Sequence, residues 1–341
     1  MNLKLFFFLV LLIPIMGSFS FTAVKTVPLP ADVINPESIN ADANHLYIVD
    51  GASIHIVSLA DFKMIKTFGK QGEGAQEFMI NTWFRLKLSA QPNCLFIQSI
   101  SRVSYFSKDG IFQKEQRLTS RGVNFVPLEN EKGFIGSNTG RENNSLFFYL
   151  SLYDANFQKG ITIFKEQVPF LPGAAFDPLD QKEPVFYAKF GKIFVNGRDG
   201  VIHIINPTGK EESAIKYDYG KLDVTQKVKD EMVEYYKTDP RTSMGFEMFK
   251  KDMKFSDYFP PVRDYRVANE KVYVFPFNKK EGKSQVFIFD MKGKLLKTLP
   301  VEMIEKNPLD FYPFAVENDK LYQAIENIDG ESWELRVTDI K

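Results

Sequence analysis

The sequence has little cysteine, little histidine and no excess of charge. Cys94 is the only cysteine among 341 residues, so an intrachain disulfide cannot form. The 43 basic and 43 acidic side chains give a formal net charge of zero, which disfavours electrostatic binding of nucleic acid. Only three histidines occur, and His-Glu-x-x-His, Gly-x-Ser-x-Gly and Cys-x-x-Cys are all absent. No catalytic or metal-binding motif of recognisable spacing therefore remains.

Long apolar runs are also scarce. One such run, Leu5 to Met16, follows the single positive charge of Lys4 and precedes the small-residue pattern Ser18-Phe19-Ser20. It is too short to span a bilayer, which takes about 20 residues. The pattern predicts a cleaved signal peptide over residues 1–20 and a mature domain over residues 21–341. We expect a bacterial protein that is periplasmic or extracellular, with no membrane span in the mature chain.

Aromatic residues and repeats are abundant. The chain has 33 Phe and 14 Tyr against 2 Trp, which favours sheets. Similar segments begin at His45, Cys94, Gly133, Lys192 and Lys271, and a shorter one begins at Lys320. The aromatic residues Tyr47 and Phe96 are 49 residues apart, as are Tyr273 and Tyr322. These segments indicate six units of about 49 residues each.

Each unit predicts four short strands joined by tight turns, which is typical of a β-propeller blade. The fold class is therefore all-β, a six-bladed β-propeller of four-stranded antiparallel blades. The last unit lacks its outermost strand, and an orphan strand lies at Ala23 to Val33. We expect this N-terminal strand to pair beside Trp333 to Asp339 and close the ring.

The stretch TFGKQGEGAQEF, Thr67 to Phe78, is rich in glycine. It matches neither a phosphate-binding loop nor a dinucleotide-binding turn, because no Gly-Lys-Ser/Thr follows and no helix is predicted after it. We interpret it as the connection between two blades, with Phe68 and Phe78 fixing its ends.

The same stretch carries a family resemblance. After Asp50, the residues Phe68, Gly69, Gly72, Gly74 and Phe78 match the exit of an NHL-type repeat. The chain resembles the secreted bacterial six-bladed propellers with NHL/TolB-like repeats, in pattern over nearly the whole mature chain and in detail over one unit. This resemblance implies a fold and brings no catalytic residue with it.

One segment breaks the β pattern. From Asp223 to Phe259, Val224, Val228 and Met232 recur with helical spacing and continue to Tyr235 or Tyr236. The sequence predicts an α-helical insert over residues 223–259, between blades four and five. Asp223 is the expected cap of its first helix, and Ser243 that of a second. The insert either packs on the propeller as a lid or serves as a gate or docking element for a partner.

Metal sites have weak support in the sequence. His55 and His203 fall in equivalent strands about three repeats apart, so we expect them on opposite sides of the ring. Propeller hydrolases of the lactonase type hold calcium in the channel with side chains from several blades. Asp50, Asn196 and Asn278 are candidates for that role, and their alternative is hydrogen bonding to nearby backbone in turns.

Seven residues are candidates for ligand binding. Loops between second and third strands emerge on the same face as the connections between blades. The candidates on this loop face are Arg102, Arg141, Arg198, Asp199, Arg263, Asp264 and Tyr265. Arginine and tyrosine are frequent in recognition sites, which is why these residues are chosen.

A rigid ring with variable loops is suited to recognition. We expect a monomeric, non-enzymatic extracytoplasmic binding or scaffold protein, without cofactor or bound metal, that recognises a protein, peptide or glycan on the loop face. One alternative is a calcium-dependent hydrolase or lactonase acting at the central channel. Another is a sensor or assembly partner in an envelope complex, docking through the insert.

Overall fold

A computed structural model describes residues 24–74, 76–118, 122–129, 133–168, 175–180, 182–327 and 332–341. The expected signal peptide lies outside these residues. Within them, strands form six sheets arranged as the blades of a six-bladed β-propeller, which confirms the predicted fold. No helix in these ranges has the length and apolar character needed to cross a membrane.

The first strand of the described chain, β1 (Val24–Pro28), belongs to the last blade. Blade one contains β2 (Pro36–Ala41), β3 (His45–Asp50), β4 (Ser53–Ser58) and β5 (Met64–Phe68). Blade two contains β6 (Lys87–Ala90), β7 (Leu95–Gln98), β8 (Arg102–Phe106) and β9 (Phe112–Arg117). Blade three contains β10 (Asn124–Pro127), β11 (Phe134–Glu142), β12 (Ser145–Tyr153) and β13 (Lys159–Val168).

Blade four contains β14 (Phe186–Lys189), β15 (Lys192–Asn196), β16 (Ile202–Ile205) and β17 (Glu211–Ile215). Blade five contains β18 (Val262–Ala268), β19 (Lys271–Pro276), β21 (Lys283–Asp290) and β22 (Leu295–Val301), with the two-residue β20 (Lys279–Lys280) in its central hairpin. Blade six contains β23 (Phe314–Glu317), β24 (Lys320–Glu326) and β25 (Trp333–Asp339). Within each blade, neighbouring strands are antiparallel.

Apolar side chains on both faces of each blade form the core. Six buried clusters lie between the six pairs of neighbouring blades. In β21, Val286 and Ile288 face blade six, while Phe287 and Phe289 face blade four. This alternation follows from the period of two in a strand whose faces are both covered. The core therefore forms a ring around a central channel.

The ring is closed by the N-terminal strand, as predicted. β1 pairs with β25 in an antiparallel ladder from Val24 opposite Thr338 to Pro28 opposite Glu334. The indole Nε1–H of Trp333 also donates to the carbonyl oxygen of Ile34 at 2.7 Å. Pairing β25 in this way removes an exposed sheet edge.

The glycine-rich stretch connects blade one to blade two, which confirms that it turns the chain. Gly69 has φ +87°, and a Cβ there would lie 2.6 Å from the carbonyl oxygen of Ala52, so only glycine fits. The Glu77 carboxylate accepts a hydrogen bond from Gly74 N at 2.9 Å and pairs with Lys70. The loop therefore uses one of its own amide groups to bind its own acidic side chain.

The insert between blades four and five is helical, as predicted. Its main helix, α1 (Gln226–Thr238), is followed by a 3-10 turn (Ser243–Gly245), the short α2 (Phe246–Phe249) and another 3-10 turn (Lys250–Asp252). The predicted caps are wrong. Thr225 caps α1 by accepting a hydrogen bond from Val228 N, whereas Asp223 forms a β-bridge with Tyr258. Ser243 is the first residue of a 3-10 turn and does not cap a longer helix.

The predicted apolar stripe attaches the insert to the ring. Met232 is fully buried among Leu179, Val224, Phe277 and Leu309. Leu179 comes from the connection before blade four, Phe277 from the central hairpin of blade five and Leu309 from the connection before blade six. The insert therefore covers part of the loop face.

Candidate functional site

The inner strands of the six blades surround a central channel with a cavity of about 500 Å³. Each inner strand follows a connection on the loop face, so β2, β6, β10, β14, β18 and β23 run in the same direction away from that face. Much of the wall is apolar, as at Ile39, Leu88, Phe125 and Val267. This volume and lining are typical of small-molecule sites.

Charged side chains project among these apolar groups. The lining carries four cations, Arg85, Lys87, Lys189 and Arg266, against two anions, Glu37 and Glu183. Arg85 lies 3.5 Å from Glu37, measured from Nη1 to Oε1, and this pair sits where β2 and β6 begin. Burial raises the pKa of Glu37, although the Arg85 guanidinium acts in the opposite direction.

Arg266 is engaged by the protein itself. It pairs with Asp264, donates to the hydroxyl of Tyr187 at 3.2 Å and stacks on Phe314. Burial acts to lower the pKa of Arg266, but the charges and hydrogen bonds of Asp264 and Tyr187 together outweigh burial and raise it. Arg266 is therefore part of the channel wall.

Lys87 and Lys189 are different. Among the described residues, neither ammonium group makes a hydrogen bond or an ion pair. Burial lowers the pKa of Lys87, with the Glu183 carboxylate opposing it. Burial also lowers the pKa of Lys189, against the raising effect of Glu317, Glu129 and Asp42 and alongside a smaller lowering effect from Lys108. Lys87 is nevertheless solvent-exposed, because it projects into the open channel.

Large apolar side chains flank the channel entrance on the loop face. Ile34, 76% exposed, is three residues before Glu37, and Trp83, 74% exposed, is two residues before Arg85. Because Glu37 and Arg85 pair with each other, Ile34 and Trp83 belong to the same part of the entrance. We call Ile34 and Trp83, together with the Glu37–Arg85 pair, the rim.

Four of the seven predicted site residues meet in one place. Arg198, Arg263, Asp264 and Tyr265 line a small cavity of about 40 Å³ between blades four and five. Arg263 is buried, stacks on Phe277 and Phe311, and pairs with Glu305. Tyr265 is fully buried, and its hydroxyl donates to the carbonyl oxygen of Val185 at 2.9 Å.

Arg198 also serves the fold. Its Nη1 donates to the Asp180 carboxylate at 2.7 Å, which fixes the connection before blade four. Asp199 is exposed beside it and accepts a hydrogen bond from Val201 N in the same turn. The protein itself uses most of the polar groups around this small cavity.

The other two predicted residues lie elsewhere. Arg102 donates to the carbonyl oxygens of Glu73 and Gly74 at 2.8 and 2.9 Å and holds the glycine-rich connection. Arg141 is exposed near the end of β11 in blade three. The seven residues therefore do not form one surface, and a ligand role for them stays a prediction.

The candidate calcium ligands all engage nearby backbone groups. Asp50 accepts hydrogen bonds from Ile34 N and Asn35 N at 2.7 and 3.1 Å, and Asn196 accepts one from Val185 N at 2.7 Å. Asn278 donates to the carbonyl oxygen of Tyr219. Within the described ranges, no three His, Cys, Asp or Glu side chains cluster as a metal site would require. A calcium ion in the channel stays a prediction.

His55 and His203 occupy blades one and four, on opposite sides of the ring, as expected. His55 in β4 lies beside Thr67 and Asp50, and His203 in β16 lies 3.1 Å from Glu211. Burial lowers the pKa of His55, while the Asp50 carboxylate opposes this effect. Each histidine has a local partner, and the channel lies between them.

The predicted site residues did not include the channel lysines, Lys87 and Lys189, or the apolar rim residues, Trp83 and Ile34. In the sequence, lysines on short strands resemble solvent-facing positions, and a single tryptophan in a connection resembles a core anchor. A usable signal was the position of Lys87 and Lys189 on the first strands of their units, because first strands line the channel of a propeller.

Comparison with known proteins supports the ring. No protein-family model matches the chain, and no curated protein matches it in sequence. Among solved structures, it is similar to a member of the DUF4221 family from Bacteroides vulgatus. The TM-score is 0.52 at 12% identity, with 94% of this chain and 96% of that one covered. The likeness establishes the fold alone.

Two further propellers are more distant. BamB from Moraxella catarrhalis matches with TM-score 0.31 and 11% identity over 88% of this chain and 71% of that one. The propeller domain of Cps50 (Swd1) from Myceliophteria thermophila gives TM-score 0.43 and 9% identity over 94% and 100%.

Proposed function

We propose that this chain is a non-enzymatic extracytoplasmic binding protein that recognises a protein, peptide or glycan ligand on its loop face, at the rim of the channel. The exposure of Trp83 beside the channel entrance carries the proposal. Tryptophan is among the residues most often found at the energetic centre of binding sites. Covering its exposed ring with a partner would remove apolar surface from water, which favours binding.

The wider loop face supports this assignment. Met244 and Met248, 91% and 77% exposed, lie on the insert, and Tyr258 is exposed at its end. Like Ile34 and Trp83, these side chains belong to connections between blades, which emerge on one face. Flexible methionine side chains suit an adaptable contact with a partner.

The extracytoplasmic location rests on the segment from Lys4 to Ser20, which has the charge, apolar run and small residues of a signal peptide. Membership of the NHL/TolB-like propellers rests on the repeat exit at Phe68 to Phe78. The extracytoplasmic location and the membership of this family are both part of the proposal.

The test begins with a glycan array and a phage-displayed peptide library, both probed with the purified protein. Each hit is then titrated calorimetrically against wild type, Trp83→Ala and Phe190→Ala. Phe190 is the matched control because it is an exposed aromatic in the turn after β14, on the face opposite the loops. We expect Trp83→Ala to weaken binding by about tenfold or more and Phe190→Ala to leave it unchanged. Equal binding by wild type and Trp83→Ala would rule out the rim as the site.

A further inference from the structure

Below the rim, the central channel forms a cavity of its own. Its inner strands bring together side chains from six separate repeats, and the resulting cavity of about 500 Å³ is large enough for a small organic molecule. Solvent reaches it, since Lys87 and Glu183 are both exposed although they line the channel.

The charges of this cavity are unevenly compensated. Arg85 has Glu37 as its partner, and Arg266 has Asp264. Among the described residues, Lys87, Lys189 and Glu183 make no ion pair or hydrogen bond, so unpaired ammonium groups outnumber unpaired carboxylates. An unpaired charge among apolar walls is costly unless an opposite charge or water meets it.

Lys87 is the better placed of the two lysines. Lys189 ends β14 at the far end of the channel, where Glu317, Glu129 and Asp42 offset its charge. Lys87 begins β6 near the loop face, and Glu183 is its acidic neighbour. Of the two lysines, an anion entering from the loop face therefore meets Lys87 first.

We propose that the channel binds an organic anion, with its charged group at the Lys87 ammonium and its uncharged body against Leu88 and Val126. Carboxylate, phosphate and sulfonate groups share this chemistry, since each accepts charge-assisted hydrogen bonds from an ammonium donor. The hydroxyl of Ser89 and the amide of Asn124, also in the lining, supply further donors. This proposal does not depend on what the rim binds.

One further feature fits a ligand role for Lys87. Burial lowers the pKa of its ammonium, so the protein alone stabilises the charge poorly, and a bound anion would restore that stabilisation. Ionisable groups whose pKa is shifted in this way are frequent in functional sites.

The probe is 8-anilinonaphthalene-1-sulfonate, an aromatic sulfonate small enough for the cavity, titrated at pH 6.5 by fluorescence. N-phenyl-1-naphthylamine is its uncharged counterpart, and inorganic phosphate, titrated by calorimetry, tests the charge without the body. The variants are Lys87→Met, Glu183→Gln and, as a matched control, Lys292→Met in the exposed turn between β21 and β22.

We expect saturable one-to-one binding of the sulfonate that Lys87→Met weakens at least tenfold and Lys292→Met leaves unchanged. Glu183→Gln should tighten it, because a repelling carboxylate is removed. The melting temperature of Lys87→Met should equal or exceed that of wild type, which a structural lysine would not allow. The uncharged probe should bind weakly and equally to all variants.

Several outcomes would overturn the proposal. Binding that Lys87→Met does not change would place the probe elsewhere, and weakening of sulfonate binding by Glu183→Gln would contradict the repulsion assigned to the Glu183 carboxylate. No saturable binding of the sulfonate would reject the site. Equal affinity for inorganic phosphate would show simple counter-ion binding. Trp83 is intact in all these variants, so a negative result for the channel does not bear on ligand binding at the rim. Loss of binding at the rim, in turn, does not bear on sulfonate binding in the channel.

Discussion

Arginines that look alike in the sequence differ in what they contact. Arg102 is buried and bonded to two carbonyl oxygens of the glycine-rich connection, at Glu73 and Gly74. It also lies 3.2 Å from Glu115. Arg141 is exposed at a hairpin. The same residue type therefore holds the fold together in one blade and faces solvent in the next.

We expect Arg102→Ala to lower the free energy of unfolding by about 2–3 kcal/mol, since it removes charge-assisted hydrogen bonds to the carbonyl oxygens of Glu73 and Gly74. Arg141→Ala should change it by no more than about 0.5 kcal/mol. Urea unfolding, followed by tryptophan fluorescence, measures both. A change in Arg102→Ala as small as that in Arg141→Ala would contradict the anchoring role.

The sequence does not show whether a strand side chain faces the channel or the outer surface, and this limited the prediction of site residues. The four-residue inner strand β6 has the sequence lysine, leucine, serine, alanine, in which polar and apolar residues alternate as expected for a strand. Nothing in that order tells a wet channel from the outer surface. Lys87 therefore resembled a surface lysine, while Arg263 and Tyr265 resembled surface loop residues although both are buried.

At the scale of the element, the insert was predictable in its packing but not in its ends. The stripe from Val224 to Tyr236 decides which side of α1 meets the ring, and that side was correct. Asp223 and Thr225 are both favourable caps, so propensity does not choose between them. The bridge between Asp223 and Tyr258 holds Asp223 in extended pairing and leaves the cap to Thr225.

We expect Met232→Ala in α1 to cost about 2–5 kcal/mol, because it opens a cavity against Leu179, Phe277 and Leu309. Met248→Ala, a matched change at an exposed position, should leave the free energy of unfolding unchanged within about 0.5 kcal/mol. Thermal and urea unfolding of both variants provide the measurement. Equal stability of the two would contradict attachment of the insert through α1.

The packing of the insert also bears on experiments with deletions. Removing residues 223–259 would uncover Leu179, Phe277 and Leu309, so loss of ligand capture in such a variant would not separate binding from folding. Substitutions at Met244 and Met248, which are exposed, test a docking role without that cost.

For the whole molecule, the repeat was the strongest signal. A spacing of 49 residues between Tyr47 and Phe96, repeated along the chain, predicts the number of blades without any knowledge of loops. The candidate site could not be predicted in the same way. Its side chains come from different units, and their convergence depends on curvature that no single unit encodes.

Closure of the ring by β1 should contribute to the stability of the whole domain. A chain beginning at Leu29 lacks β1, whereas a chain beginning at Val24 keeps it. We expect the shorter chain to lose about 3 kcal/mol or more of stability, since five paired residues and their hydrogen bonds are removed. It should also self-associate through the bare edge of β25. Urea unfolding and light scattering measure the two effects, and equal behaviour of both chains would contradict closure by β1.

The pairing of β1 with β25 has a consequence for the order of folding. Val27 lies opposite Leu335, so these partners are about as far apart along the chain as the fold allows. During synthesis from the N-terminus, β1 emerges before the strands of any blade. It cannot pair until its partner β25, in blade six, has been synthesised. Blades one to five contain all their strands in one continuous stretch each and can form in sequence, which favours local contacts first. The first strand to be synthesised is therefore the last to be incorporated into the sheet.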